Sequence, residues 1–149
     1  MGQSLAKLYL HLTFSTKDRY PFIQKEWETK LYAYIAGILK NLESPSLIVN
    51  GNKDHIHVLF VLSKNVALAK VVEIVKKESS RWVRLQAYTN KFSWQTGYAC
   101  FSVSSSKIEY TRKYIQHQIE HHEKQSFQNE LGNFLTEYDI CFDERYIWN

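Results

Sequence analysis

Long apolar runs are missing from this 149-residue chain, and cysteine and proline are scarce. The longest apolar stretches are too short to cross a bilayer, which excludes a membrane-spanning helix. The two cysteines, Cys100 and Cys141, stand far apart and make neither a zinc pattern nor a disulfide framework. Reduced thiols in an intracellular, cytoplasmic protein are the expectation. The start, MGQSLAKLYLHLTF, has no charged region followed by a long apolar segment and a small-residue cleavage site, so no signal peptide is expected. Ala6 occupies the place where a myristoylation signal needs Ser or Thr. Pro21 and Pro45 are the only prolines, and both fall between patterned segments. There is no internal repeat, low-complexity tract, linker or glycine-rich nucleotide loop. The length suits one domain over residues 1–149.

What is present is an apolar fraction of 44%, enough for a core, with a net charge of +4 and a pI of about 9.0. A mild basic excess is compatible with nucleic acid without demanding it. Aromatics reach 15%, with ten Tyr and four Trp. They serve either a large aromatic core or stacking platforms for unpaired bases.

Periodicity organises the chain. KLYLHLTFST (7–16) alternates, with Leu8, Leu10, Leu12 and Phe14 on one face and Tyr9, His11, Thr13 and Ser15 on the other, the pattern of a half-buried strand. From about Gln24 to Leu42, Trp27, Leu31, Tyr34, Ile35, Ile38 and Leu42 follow helical spacing. SLIVNGNKDHIHVLFVL reads as two strands about a turn at Asn50-Gly51-Asn52. A second helix runs from Val66 to about Tyr88, with Val71, Val72, Val75, Trp82 and Leu85 inward and Lys70, Lys76, Lys77, Arg81 and Arg84 on its polar side. FSWQTGYACFSVS (92–104) is a further strand region, SSSKIEYTRKYIQHQIEHHEKQ a helix with a serine N-cap, and FQNELGNFLTEY a short helix. The order β-α-β-β-α-β predicts an α+β, ferredoxin-like split βαβ sheet with added C-terminal helices. RNA-recognition domains share that layout, so it assigns no function by itself.

Two patterns carry chemistry. In DHIHVLF (54–60), His55 and His57 share one strand face while Ile56, Val58 and Phe60 share the other. Such a pair is either a metal site or two half-buried histidines. In YIQHQ (114–118), Tyr114 and Gln118 lie four apart on the shoulder of the apolar stripe Ile108, Ile115 and Ile119. That position suits side chains reaching sideways into a cleft, or ordinary packing with a solvated glutamine.

Taken together, these segments resemble the HUH-type single-tyrosine transposases of small bacterial insertion sequences and the related REP-associated tyrosine transposases. HLTFSTKDRYPFI is similar to the family's first strand and Thr-Lys-x-Arg segment, DHIHVLF to its histidine–hydrophobe–histidine strand, FSWQTGYACFSVS to its Trp-x-x-Gly-Tyr strand, and KYIQHQ to the helix bearing the nucleophile and a metal-binding Gln. The resemblance covers nearly the whole chain. It implies that Tyr114 is the nucleophile and that His55, His57 and Gln118 hold Mg²⁺ or Mn²⁺. It also implies a substrate of single-stranded DNA with hairpins at element ends, and cleavage through a 5′-phosphotyrosine. A homodimer, in which the tyrosine helix can serve the partner's histidines, belongs to the same implication, as does a cytoplasmic bacterial protein that meets the nucleoid when it acts.

Tyr110 is the reserve nucleophile. His11 reads as structural, and Asp54 as either a partner fixing the His55 tautomer or a turn residue. His121 and His122, on the tyrosine helix, read as surface or packing residues, with a third metal ligand as the other option. Lys17, Arg19, Lys76, Lys77, Arg81 and Arg84 are candidate phosphate contacts. Three rival readings stand beside this one. A domesticated, non-cutting hairpin binder would have no use for the intact Tyr and His pair. A replication- or relaxase-like nickase normally carries further domains. A plain RNA-recognition module would place aromatics where the histidines stand.

Overall fold

A computed structural model describes residues 2–118 and 126–142. The alternating first segment forms β1 (Leu8–Ser15), followed by α1 (Glu28–Asn41), β2 (Ser46–Asn52) and β3 (His55–Leu62). Then come α2 (Leu68–Leu85), β4 (Ala99–Ser102), α3 (Ile108–Gln116) and α4 (Phe127–Glu137). The strands make one antiparallel sheet in the order β2-β3-β1-β4. This is the expected α+β, ferredoxin-like arrangement. Among the described residues no helix is long and apolar enough to cross a membrane.

The period of two along β1 and β3 decides what each face meets. Leu12, Phe14, Ile56, Val58 and Phe60, all wholly buried, meet Leu31, Ile35 and Leu39 of α1 and Val71, Val72, Val75 and Val83 of α2. Burying a side chain of this size contributes about 1.5–3 kcal/mol. The opposite face was expected to be half-exposed, but His11, Thr13 and Ser15 are at most 3% exposed. Two apolar clusters close over it. In one, Ile115 of α3 packs on Leu59 and Val103, and in the other Phe127, Leu131 and Leu135 of α4 pack on Phe101. The sheet is therefore a middle layer, and its polar stripe is sealed under α3 and α4.

Three local expectations shift. The β2–β3 turn falls at Lys53-Asp54, and Asn50, Gly51 and Asn52 lie in the ladder opposite His57, Ile56 and His55. Gly51 is there for close approach, since a Cβ would stand 2.2 Å from the His55 carbonyl oxygen. Asn50 acts as a remote cap, its Nδ2 donating to the carbonyls of Ile115 (2.9 Å) and Gln116 (3.2 Å) at the end of α3. On α2 the buried stripe runs through Val75, Ser79 and Val83, whereas Leu85 is 68% exposed. Trp82 stays at the rim, stacked on Tyr34 at 5.1 Å. Ser79 sits inside because its hydroxyl receives the Trp94 indole N–H at 2.9 Å. Of residues 92–104, only Ala99–Ser102 form a strand. Near Trp94 the Gln95 side chain adds to the backbone pairing, its Oε1 accepting the Ser15 N–H at 2.7 Å while the Gln95 N–H donates to the Ser15 carbonyl at 2.9 Å.

Candidate active site

β3 sets His55 and His57 side by side under α3 and α4, both wholly buried, with ring centroids 5.2 Å apart. Asp54 combines its two expected roles. It forms the turn, and its Oδ1 lies 2.7 Å from His55 Nδ1. A carboxylate accepting the Nδ1–H leaves Nε2 with a lone pair. That lone pair faces Gln118 Oε1 at 3.3 Å. The Gln118 amide is turned this way because its Nε2 donates to the Tyr114 carbonyl one helical turn back, at 3.4 Å. With Nε2 unprotonated, it and the Gln118 oxygen present two lone pairs that a cation satisfies; with the proton on Nε2 they make a hydrogen bond. His55, His57 and Glu130 bring ligand atoms within 4.8 Å of one another. The donor set of imidazole nitrogens, an amide oxygen and a carboxylate suits Mn²⁺, or Mg²⁺ with its preference for oxygen. The residues thus fit a divalent cation.

On the other side of His57, the Nε2 lies 2.7 Å from Glu130 Oε1. The second oxygen of Glu130 accepts a hydrogen bond from the Tyr114 hydroxyl. Burial first, then the Glu130 carboxylate, holds the Tyr114 phenol above its ordinary value. Tyr114 is half-buried, its ring 6.1 Å from the His57 ring. Nucleophile candidate and histidines therefore meet within a single chain. Glu130 was missed from sequence, though a signal existed. It stands three after Phe127 and one before Leu131 on the apolar face of α4, where a carboxylate needs buried partners.

His11, read as structural, joins this network with its Nε2 2.8 Å from His57 Nδ1. Burial and then the neighbouring His57 push the His11 pKa down to about 3. A neutral His11 serves either tautomer of His57, donating to Nδ1 or accepting from Nδ1–H. The unfolded chain protonates this group near its ordinary value of about 6.5, before the folded chain does. The stability it confers is therefore complete above about pH 6.5 and lost as pH falls toward 3. Thermal melts should move to lower temperature as pH drops from 7 to 4, this one group contributing up to about 1.4 kcal/mol per pH unit. His11→Gln should flatten that slope; an unchanged slope would contradict the buried neutral state.

The other predicted residues divide. Tyr110 is 71% exposed, with Lys107 over its ring, at the rim of the cleft that His11 and Tyr114 also line. Lys17 and Arg19 sit in a short 3-10 turn anchored where the Thr16 N–H donates to the Asp54 carbonyl at 2.8 Å. Asp18 and Arg19 both take left-handed backbone angles, φ 56° and 55°. The Arg19 guanidinium reaches the Gln128 side-chain oxygen of α4 at 3.2 Å. Lys76, Lys77, Arg81 and Arg84 lie on α2, which covers the opposite face of the sheet. Lys76 Nζ is given to the carbonyls of Thr96 (3.0 Å) and Gly97 (2.8 Å), and burial brings its pKa down to about 8. Arg84 donates to the Phe92 carbonyl at 3.2 Å, and Arg81 lies 3.8 Å from Glu78. Lys77 is exposed. His121 and His122 lie outside the described residues. A cleft of about 590 Å³ between α3 and α4, lined by His11, Tyr114, Phe134 and Tyr138, opens beside the Tyr114 ring.

The fold has known counterparts. The chain is similar in structure to a candidate transposase from Deinococcus radiodurans R1, with a TM-score of 0.64 and 20% identity over 79% of this chain and 96% of that one. It is also similar to the REP-associated tyrosine transposase bound to a REP hairpin, with a TM-score of 0.56 and 11% identity over 83% of this chain and 72% of that one. No curated protein matches the chain. Residues 4–118, from before β1 through Gln118, match the model of the IS200-like transposases. The chain belongs to the IS200-like transposase family.

Proposed function

We propose that this protein cleaves and rejoins single-stranded DNA at insertion-sequence ends by metal-dependent transesterification, with Tyr114 as nucleophile and His55, His57 and Gln118 as cation ligands. The convergence of the Tyr114 hydroxyl, the histidine pair and the Gln118 oxygen in one buried cluster carries this reading. A phenol with an ordinary pKa of about 10 is a poor nucleophile, and burial beside Glu130 makes the phenolate costlier still. A Mg²⁺ or Mn²⁺ held by His55, His57 and Gln118 would supply the missing positive charge and Lewis acidity toward the scissile phosphate. Tyr114 Oη bonds to phosphorus, the bond to the 3′-oxygen breaks, and that oxygen leaves as a hydroxyl with the proton the phenol gave up. The 5′-phosphotyrosine keeps the bond energy, so a 3′-hydroxyl can reverse the step and rejoin the strand without ATP.

The hairpin bound by the REP-associated relative supports hairpin-bearing single strands as the substrate. Lys17 and Arg19, at the rim beside Asp54, are proposed to hold phosphates near the scissile bond. Lys77 and Arg81, with Lys76 and Arg84 behind them, are proposed to hold phosphates farther along the DNA. A homodimer is part of the proposal, although nucleophile and ligands already meet in one chain. The test is incubation with single-stranded DNA from the flanks of its own gene, with Mg²⁺ or Mn²⁺ or with chelator. A covalent adduct on a denaturing gel that requires the metal is expected. Tight hairpin binding with no adduct under any condition would favour the non-cutting binder instead.

A further inference from the structure

We infer that Glu130 is a fourth donor to the proposed cation and that its second oxygen holds the Tyr114 hydroxyl at that cation; this rests on the metal-site reading above. Glu130 comes from α4, beyond the stretch that matches the family model, which ends at residue 118. It is 1% exposed. A buried carboxylate is tolerated only where partners compensate its charge. Its partners are the two groups the proposed reaction needs: His57 Nε2 at 2.7 Å and the Tyr114 hydroxyl. Its ligand atom also lies within 4.8 Å of that of His55.

The chemistry adds a reason. His55, His57 and Gln118 are neutral donors, and two of the three are nitrogens. Hard cations such as Mg²⁺ and Mn²⁺ favour anionic oxygen, which among the described residues of this cluster Glu130 supplies. One carboxylate with one oxygen toward the cation and the other on the phenol sets the distance between charge and nucleophile. Phe127 seats the start of α4 by stacking on the His55 ring at 4.7 Å. α4 thereby belongs to the catalytic site as well as to the core.

The experiment is Mn²⁺ binding to the full chain without DNA, followed by the loss of the aqueous Mn²⁺ paramagnetic-resonance signal. Wild type, His55→Ala, Glu130→Gln and Glu130→Asp are compared, with circular dichroism to verify folding. The expected result is binding by the wild type and at least tenfold weaker binding by both His55→Ala and Glu130→Gln. Glu130→Asp, which keeps a carboxylate, recovers part of the affinity. Wild-type affinity in Glu130→Gln alongside loss in His55→Ala would overturn the inference and leave the metal-site reading intact. Equal, weak binding by wild type and His55→Ala would overturn that reading, and the inference with it. Should Glu130→Gln fail to fold, a folded Glu130→Asp with affinity unlike the wild type supports the donor role, and one with unchanged affinity opposes it.

Discussion

Tyr114→Phe should abolish the covalent protein–DNA adduct and lower strand cleavage by about three orders of magnitude or more, while leaving the fold intact. Only the hydroxyl is removed. The ring keeps its edge-on contacts with Phe134 at 5.7 Å and with His57 at 6.1 Å. The structural cost is the hydroxyl's hydrogen bonding with Glu130 and Gln118, on the order of 1–3 kcal/mol for the buried Glu130 acceptor left behind. Tyr110 is 71% exposed at the rim of the same cleft, whereas the Tyr114 hydroxyl is the one held by Glu130 beside His57. Tyr110→Phe should therefore retain near wild-type adduct yield. Both variants and the wild type are compared on one denaturing gel. Adduct surviving in Tyr114→Phe and lost in Tyr110→Phe would reverse the roles.

His57→Ala should reduce adduct formation at least a hundredfold and also unfold at lower temperature than His55→Ala. The catalytic effect follows from losing a proposed ligand, since even partners behind metal ligands typically affect metal affinity 10–100-fold. The difference in stability follows from what each deletion strands. Without His57, the Glu130 carboxylate, 1% exposed, keeps the Tyr114 hydroxyl but loses its imidazole partner. Leaving a buried carboxylate short of one hydrogen-bond partner costs on the order of 1–3 kcal/mol or more. Without His55, the stranded partners are Asp54, whose side chain is 25% exposed and can turn to water, and the Gln118 amide, which is buried but carries no charge. Adduct yield and calorimetric melting of the two variants test both statements. Equal melting temperatures would contradict the buried His57–Glu130 contact as a source of stability.

The elements that position this site were readable where one local pattern decides them. The alternation in β1 and β3 sorted His55 and His57 from Ile56, Val58 and Phe60, and the four-residue spacing paired Tyr114 with Gln118. Misreadings came where a distant segment decides. Asn50 and Gly51 look like a turn, yet Asn50 caps α3 from 65 residues away and Gly51 admits the His55 backbone. Leu85 fits a helical stripe, but the stripe turns inward through Ser79, which is held by Trp94. Glu130 is the largest omission, since its meaning depends on how α4 docks across the histidine face, which no spacing within FQNELGNFLTEY encodes. His11 looked inert for the same reason, its partner being 46 residues away on another strand.

The most direct measurement is to map the covalent link itself. Adduct formed with Mn²⁺ and flank-derived single-stranded DNA is digested with nuclease and protease, and the nucleotide-bearing peptide is sequenced by mass spectrometry. The account predicts a 5′-linked nucleotide on Tyr114, in the peptide containing Tyr-Ile-Gln. A nucleotide on Tyr110 or any other residue, or cleaved DNA with no nucleotide attached to the protein, would contradict it.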